Sequence, residues 1–285
     1  MPFETKGHFE TKGHFETRPL LPGDIRSMSF CVSPFKLNDW YNGDCVRLRR
    51  GIAEMDFGFV NGYVDIASIL AWGGIDTLYT VTWYDQSGQG LDVTQSTMVD
   101  QPIFELETLN GTAVVKFNDT DFLAKSSVLG SLLFSANEIT IFSINKSEEI
   151  EHIMPFSWHK EDPNSERVSF HNPYKTPLGT VFFDAPRVNG RISQTGHEAK
   201  IDWAVWTFIK ESLTSSRVRY AKAPSFNGAY SSSPINVGIT GNLEIGNQTL
   251  EATHLSISTI IAYKRELTGD EIDTVEGVLS KITGL

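Results

Sequence analysis

Three groupings of carboxylates have the residue types and spacing for acid–base chemistry. Glu105-Leu106-Glu107 puts two carboxylates on one face of an extended segment, Asp119-Thr120-Asp121 repeats that spacing, and Asp184 closes an apolar run. Such pairs could serve glycoside hydrolysis, which needs two carboxyl groups ~5–5.5 Å apart for retention or ~6.5–9.5 Å apart for inversion. Glu105 and Glu107, however, flank a loop before Asn110-Gly111, where acids are ordinarily solvated, and the chain has no E-x-D-x-x-E pattern. His152, His159, His171, His197 and His254 make no H-x-x-x-H or H-E-x-x-H spacing, which removes the usual support for zinc. Neither a G-x-S-x-G elbow nor a phosphate-cradling G-x-x-x-x-G-K-[ST] loop occurs. Asn118 to Asp121 offers oxygens to Ca²⁺ but reads first as a solvated turn. No catalytic residue, metal site or other cofactor is expected.

Binding has more candidates. The polar stretch from Trp158 to Pro177 holds Trp158, His159, His171 and Tyr174, which would stack on sugar or face a partner chain from a surface loop. Ala221 to Pro234 has the Ser, Gly and aromatic content of an adaptable connection. Asp85-Gln86-Ser87-Gly88 reads as a structural turn, with the Asp85 carboxylate bonding amides two residues on.

The elements that must position these residues are mostly strands. Val46–Arg49 alternates apolar and basic residues. Leu78–Tyr84, Ala113–Phe117, Ile139–Ile144, Gly179–Phe183, Trp203–Phe208, Arg217–Tyr220, Ile235–Gly238, Leu243–Gly246 and Leu255–Tyr263 are rich in β-branched and aromatic residues, with turn residues between them. Two helices are expected, Ile66–Trp72 and a C-terminal one opened by the capping box Thr268-Gly269-Asp270-Glu271. The pattern is that of an all-β sandwich or barrel.

The chain has 285 residues, 40% hydrophobic and 21% charged, as expected of a folded domain. A net charge of −11 argues against phosphate-directed nucleic-acid binding. No apolar run approaches a membrane span, and no secretory leader is read at the N-terminus. Cys31 and Cys45 are expected as free thiols, as in a reducing host cytoplasm.

Asp44-Cys45-Val46-Arg47-Leu48-Arg49-Arg50, followed by Thr82-Trp83-Tyr84-Asp85-Gln86-Ser87-Gly88-Gln89-Gly90 and Thr94-Gln95, resembles a segment of concanavalin A-like jelly-roll domains. Similar segments occur in the catalytic domain of arabinofuranosidase B-type enzymes and in virion proteins of tailed bacteriophages. Asn110–Phe117 is similar to a laminin-G-like strand, and Ile260–Ile272 to the closing strand and helix of those domains. The resemblance implies a jelly roll from about Asp44 to the C-terminus. In arabinofuranosidase-type domains the nucleophile lies in a cysteine-flanked segment, and Ile150 to Asn172 contains no cysteine.

The N-terminus repeats the hexad FETKGH twice and begins it again. Residues 1–24 read as an extended arm closed by Pro19 to Gly23, and residues 25–285 as the sandwich. Extended, Phe3, Phe9 and Phe15 fall on one face ~20 Å apart, pegs suited to anchoring by strand addition. The resemblance and the arm together point to a non-enzymatic bacteriophage virion component, such as a fibre, tail or capsid decoration protein. Its expected partners are other virion proteins and copies of itself, a trimer favoured, with host-surface glycan as a further ligand. The alternatives are an arabinofuranosidase-like glycoside hydrolase and a free carbohydrate-binding lectin.

Overall fold

The computed structural model describes residues 20–106, 110–118, 120–147, 154–160, 167–174, 180–186, 191–194, 202–220, 226–229, 234–246 and 254–285. Phe3, Phe9, Phe15, Glu107, Asp119 and the side chain of Tyr174 lie outside that description.

Strands follow one another along the chain as β1 (Met28–Val32), β2 (Val46–Arg50), β3 (Ala53–Phe57), β4 (Phe59–Val60) and β5 (Tyr63–Val64), before helix α1 (Ile66–Gly73). Next come β6 (Leu78–Trp83), β7 (Val93–Thr94), β8 (Ile103–Leu106), β9 (Ala113–Phe117), β10 (Phe122–Leu129) and the short α2 (Gly130–Leu133). β11 (Ile139–Ser147), β12 (Phe156–His159), β13 (Arg167–Tyr174), β14 (Thr180–Asp184) and β15 (Arg191–Gln194) continue the series. β16 (Ala204–Lys210), β17 (Ser215–Tyr220), β18 (Phe226–Ala229), β19 (Thr240–Gly246) and β20 (Leu255–Tyr263) precede α3 (Gly269–Thr283).

All pairings are antiparallel, and they sort the strands into two layers of a concanavalin A-like β-sandwich. One layer runs β3-β2-β6-β7-β10-β19-β12-β13-β14-β15. The other runs β18-β17-β16-β11-β20, with β1 and β9 sharing the far edge of β20. β8 joins β9 to β6 and so bends one layer into the other.

The sequence pattern accounts for this arrangement. Trp83, Phe156, Trp158, Phe170 and Phe183 from the first layer meet Ile141, Trp206, Phe208 and Ile257 from the second in the main core. β11 and β20 are buried on both faces, which is why apolar residues fall on both parities of each strand, among buried Ser and Thr. Their outer side chains Phe142, Ile144, Ile261 and Tyr263 pack under Ile272, Val275 and Leu279 of α3. A third cluster holds Val46, Leu48, Phe57 and Ile69, seating α1 on β2 and β3.

Two expectations need correction. Ile235 to Gly238 forms a turn, not a strand: Ile235 packs in the core while Asn236 caps the turn at Gly238. The stretch from Trp158, expected as a surface loop, contains β12 and β13, with Phe156↔Phe170 and Trp158↔Val168 in register. Its interleaved Ser, His and Asn residues masked an alternation in which every second residue is apolar. At the described end of the arm, Tyr263 Oη donates to the Pro22 carbonyl.

Candidate functional site

Register gives the first layer two faces. On the core side, Leu123↔Ile245↔Phe156↔Phe170↔Phe183↔Ile192 is one unbroken apolar row. One residue away along each strand, the opposite face is polar at every position but Ala124. Asp56↔Arg47↔Thr82↔Thr94↔Ala124 crosses β3, β2, β6, β7 and β10. Glu244↔Ser157↔Ser169↔Asp184↔Arg191 continues it across β19, β12, β13, β14 and β15, and Ala124 pairs with Glu244 to join the halves. At ~4.8 Å per strand the row is ~43 Å long.

Arginine–carboxylate pairs stand at its two ends and Glu244 near its middle, with small side chains in the intervals between them; this shallow row is the trough. At one end Arg47 grips Asp56 through Nε and a terminal nitrogen at 2.8 and 2.7 Å, and Tyr84 Oη donates to the same carboxylate at 2.6 Å. At the other, Arg191 binds Asp184 through two nitrogens at 2.5 and 2.8 Å, and Arg167 reaches Asp184 from β13. Burial pushes the Asp184 carboxyl up, but the Arg191 hydrogen bonds and the charges of Arg167, Arg191 and His171 outweigh it and hold the group below the usual carboxylate range. Thr82, Thr94, Ala124, Ser157 and Ser169 make the floor, where Thr82 and Thr94 bond each other through their hydroxyls at 3.2 Å.

The trough is open on one half and covered on the other. Arg47, Asp56, Thr94 and Ala124 are accessible, whereas Glu244, Ser157, Ser169 and Asp184 are buried. The Ser157 and Ser169 hydroxyls are buried without hydrogen-bond partners, cross-strand neighbours between the two carboxylates. Such groups carry a desolvation cost of ~1–3 kcal/mol each until something bonds them.

Glu244 is the carboxylate nearest the middle of the row. His159 Nε2 lies 3.0 Å from its Oε2, and His159 Nδ1 donates to the Lys160 carbonyl at 2.9 Å. A carbonyl only accepts, so Nδ1 carries a proton, and Nε2 faces the Glu244 carboxylate, an ion pair when the ring is protonated. Burial pulls the imidazole down, yet the hydrogen bond and charge of Glu244 outweigh that and leave its pKa above the ordinary histidine value. Beside this pair, Ser127, Lys160, Thr240, Gly241 and Asn242 line a polar pocket of about 240 Å³.

The residues singled out in the sequence divide between the two faces. Trp158 points into the core, edge-on to Phe134, and donates from Nε1 to the Val128 carbonyl, so it offers no stacking platform. His159 and His171 lie on the polar face, His171 edge-on to Phe182. Asp85 is a buried turn organiser: it accepts from the amides of Cys31, Ser87 and Leu91 and from the Ser87 hydroxyl. Burial nevertheless raises its pKa. Gln86 pins the Ser33–Leu37 segment through both ends of its amide. Glu105 lies on β8, away from the trough, and Asp121 spends Oδ2 on the Asn118 amide within a turn. Among the described residues no group of three His, Cys, Asp or Glu side chains could hold a metal ion. Sequence reasoning passed over Glu244, Ser157, Ser169 and the two arginines. Period-two alternation across Phe156–His159 and Arg167–His171 was the signal that could have found them.

No family model matches the chain, and no curated protein matches it. Solved structures do. A mutant GH54 α-L-arabinofuranosidase soaked with 4-nitrophenyl α-L-arabinofuranoside superposes with a TM-score of 0.68 at 13% identity, over 92% of this chain and 65% of the other. An arabinofuranosidase complexed with arabinofuranosyl-α-1,2-xylobiose gives 0.67 at 12% identity over the same shares. The chain thus spans just under two thirds of the length of these enzymes. At such identities the likeness is one of fold, a β-sandwich fold found in glycoside hydrolases.

Proposed function

We propose that the protein engages glycan along the polar trough of its first layer, with arabinofuranosyl-bearing chains the first class to try. The observation that carries this reading is the open half of the row, where the accessible heads of Arg47 and Asp56 and the exposed Thr94 stand over the small side chain of Ala124. Sugar hydroxyls both donate and accept, and can bond all three polar groups. The fold likeness to arabinofuranosidases supports the ligand class.

Hydrolysis is the second reading, favoured by that same likeness and by the carboxylate–imidazole pair of Glu244 and His159. The row's own carboxylates do not make the catalytic pair. Glu244 and Asp184 stand three strands apart, ~14 Å between backbones, beyond the retaining and inverting separations. Asp184, saturated by two arginines, is a poor nucleophile. The row itself offers Glu244 no second acid at either separation, since Asp56, at the far end, is more distant still. Incubation with arabinan and arabinoxylan oligosaccharides separates the readings. Binding without sugar release makes the protein a lectin. Release that Glu244→Gln abolishes while binding persists makes it a hydrolase. Absence of both overturns the proposal.

The virion reading rests on the hexad arm and is a separate proposal. It predicts that the chain co-purifies with phage particles, and its absence from them by mass spectrometry would end it.

A further inference from the structure

The first layer ends in an open strand edge. Among the described residues β3 pairs with β2 alone. The opposite end is closed, since β15 runs beside β18 of the other layer. The free side of β1 is closed too, where the Cys31 amide donates to Asp85 and the Gln86 amide to the Cys31 carbonyl. β3 keeps the two faces of its layer: Glu54 and Asp56 continue the polar side, Met55 and Phe57 the apolar side. Ala53, Glu54 and Met55 are exposed, Met55 by 45%. An uncovered edge with an exposed apolar side chain is a template for another strand.

The same chain carries a segment of matching pattern. In FETKGHFETKGH, Phe and Thr occupy one parity and Glu, Lys and His the other, so an extended hexad is two-faced in the sense of β3. Residues 1–18 hold Lys6, Lys12 and Arg18 against Glu4, Glu10 and Glu16, hence no net charge, in a chain that carries −11 overall. Added in parallel with Lys6 opposite Glu54, such a strand would set His8 beside Asp56 and Phe9 beside Phe57, matching charge on one face and apolar side chains on the other. A slip of one residue inverts both faces, whereas a slip of six restores them. β3 is five residues long and uses one hexad. A repeat is superfluous for closing the chain's own edge but presents the same strand again to another copy.

We propose that a hexad of one copy pairs as an added strand with the β3 edge of a second copy. This goes beyond the glycan reading and is independent of it. Sedimentation velocity of the full chain across a concentration series tests it. Self-association is expected. Glu54→Lys should weaken it several-fold, the Phe3→Ser, Phe9→Ser, Phe15→Ser triple variant should abolish it, and Lys6→Glu with Lys12→Glu should restore it in the Glu54→Lys background. Circular dichroism confirms that each variant is folded. A full chain that stays monomeric at every concentration overturns the proposal, as does association indifferent to Glu54→Lys.

Discussion

At the scale of single residues, the densest bonding belongs to side chains that do no chemistry. Asp85 ties the turn after β6 to β1 and satisfies three buried amides at once. Asp85→Ala should cost about 3 kcal/mol, measured by urea unfolding, because those amides lose their acceptor where water does not reach. Glu244 and His159 form the other decisive pair. The imidazole's folded-state pKa is raised, so the pair's contribution is complete below the ordinary histidine value and is lost as pH rises through the folded one. The melting temperature should therefore fall over that window in the parent chain, and the fall should be absent in Glu244→Gln. A pH profile unchanged by the substitution would show that the pair does not titrate as described.

At the scale of elements, what was legible in the sequence depended on how plainly each element shows its periodicity. β9, β20 and α3 were read nearly to the residue, because their apolar runs are long and α3 opens with its capping box. There Thr268 accepts from the Glu271 amide while Glu271 accepts from Thr268 and from Arg265. Thr268→Ala should cost about 1 kcal/mol of stability by denaturant titration. Arg265's hydrogen bonds hold the Glu271 carboxyl down at about 2. Its stabilising share is present above the ordinary carboxylate pKa and lost as pH falls towards that lower value, so α3 should loosen in acid. β12 and β13 were missed because Ser157, His159, Ser169 and His171 looked like loop residues. They are in fact the outward half of an alternation whose inward half is Phe156, Trp158, Val168 and Phe170. Glu244 escaped for the same reason, sitting between Leu243 and Ile245 as a polar interruption in an apolar strand. A trough assembled from one residue per strand has no local signature, because its spacing exists only after the strands have paired. Gly246, at the end of β19, is a backbone requirement that register alone does not show. Its φ is +81°, and a Cβ there would stand 2.4 Å from the Phe117 ring, so Gly246→Ala should cost at least about 1 kcal/mol.

At the scale of the molecule, the two layers divide the work. The central strands β11, β16 and β20 of the second layer are buried on both faces, under α3 on one side and against the core on the other. They contribute stability and little surface. The first layer spends one face on the core and keeps the other polar across ten strands but for Ala124, with arginine–carboxylate pairs at its ends and Ala124 beside Glu244 in the middle. The central claim is that this middle is where sugar lies. Ala124 tests it most directly: it is half-exposed on the trough floor, forms no ion pair, and lies between Thr94 and Glu244. Calorimetric titration of arabinofuranosyl oligosaccharide into the parent chain and into Ala124→Trp should give binding in the first and at least a tenfold loss in the second, with melting temperatures alike. Equal affinity in both chains would place the glycan elsewhere and contradict the account.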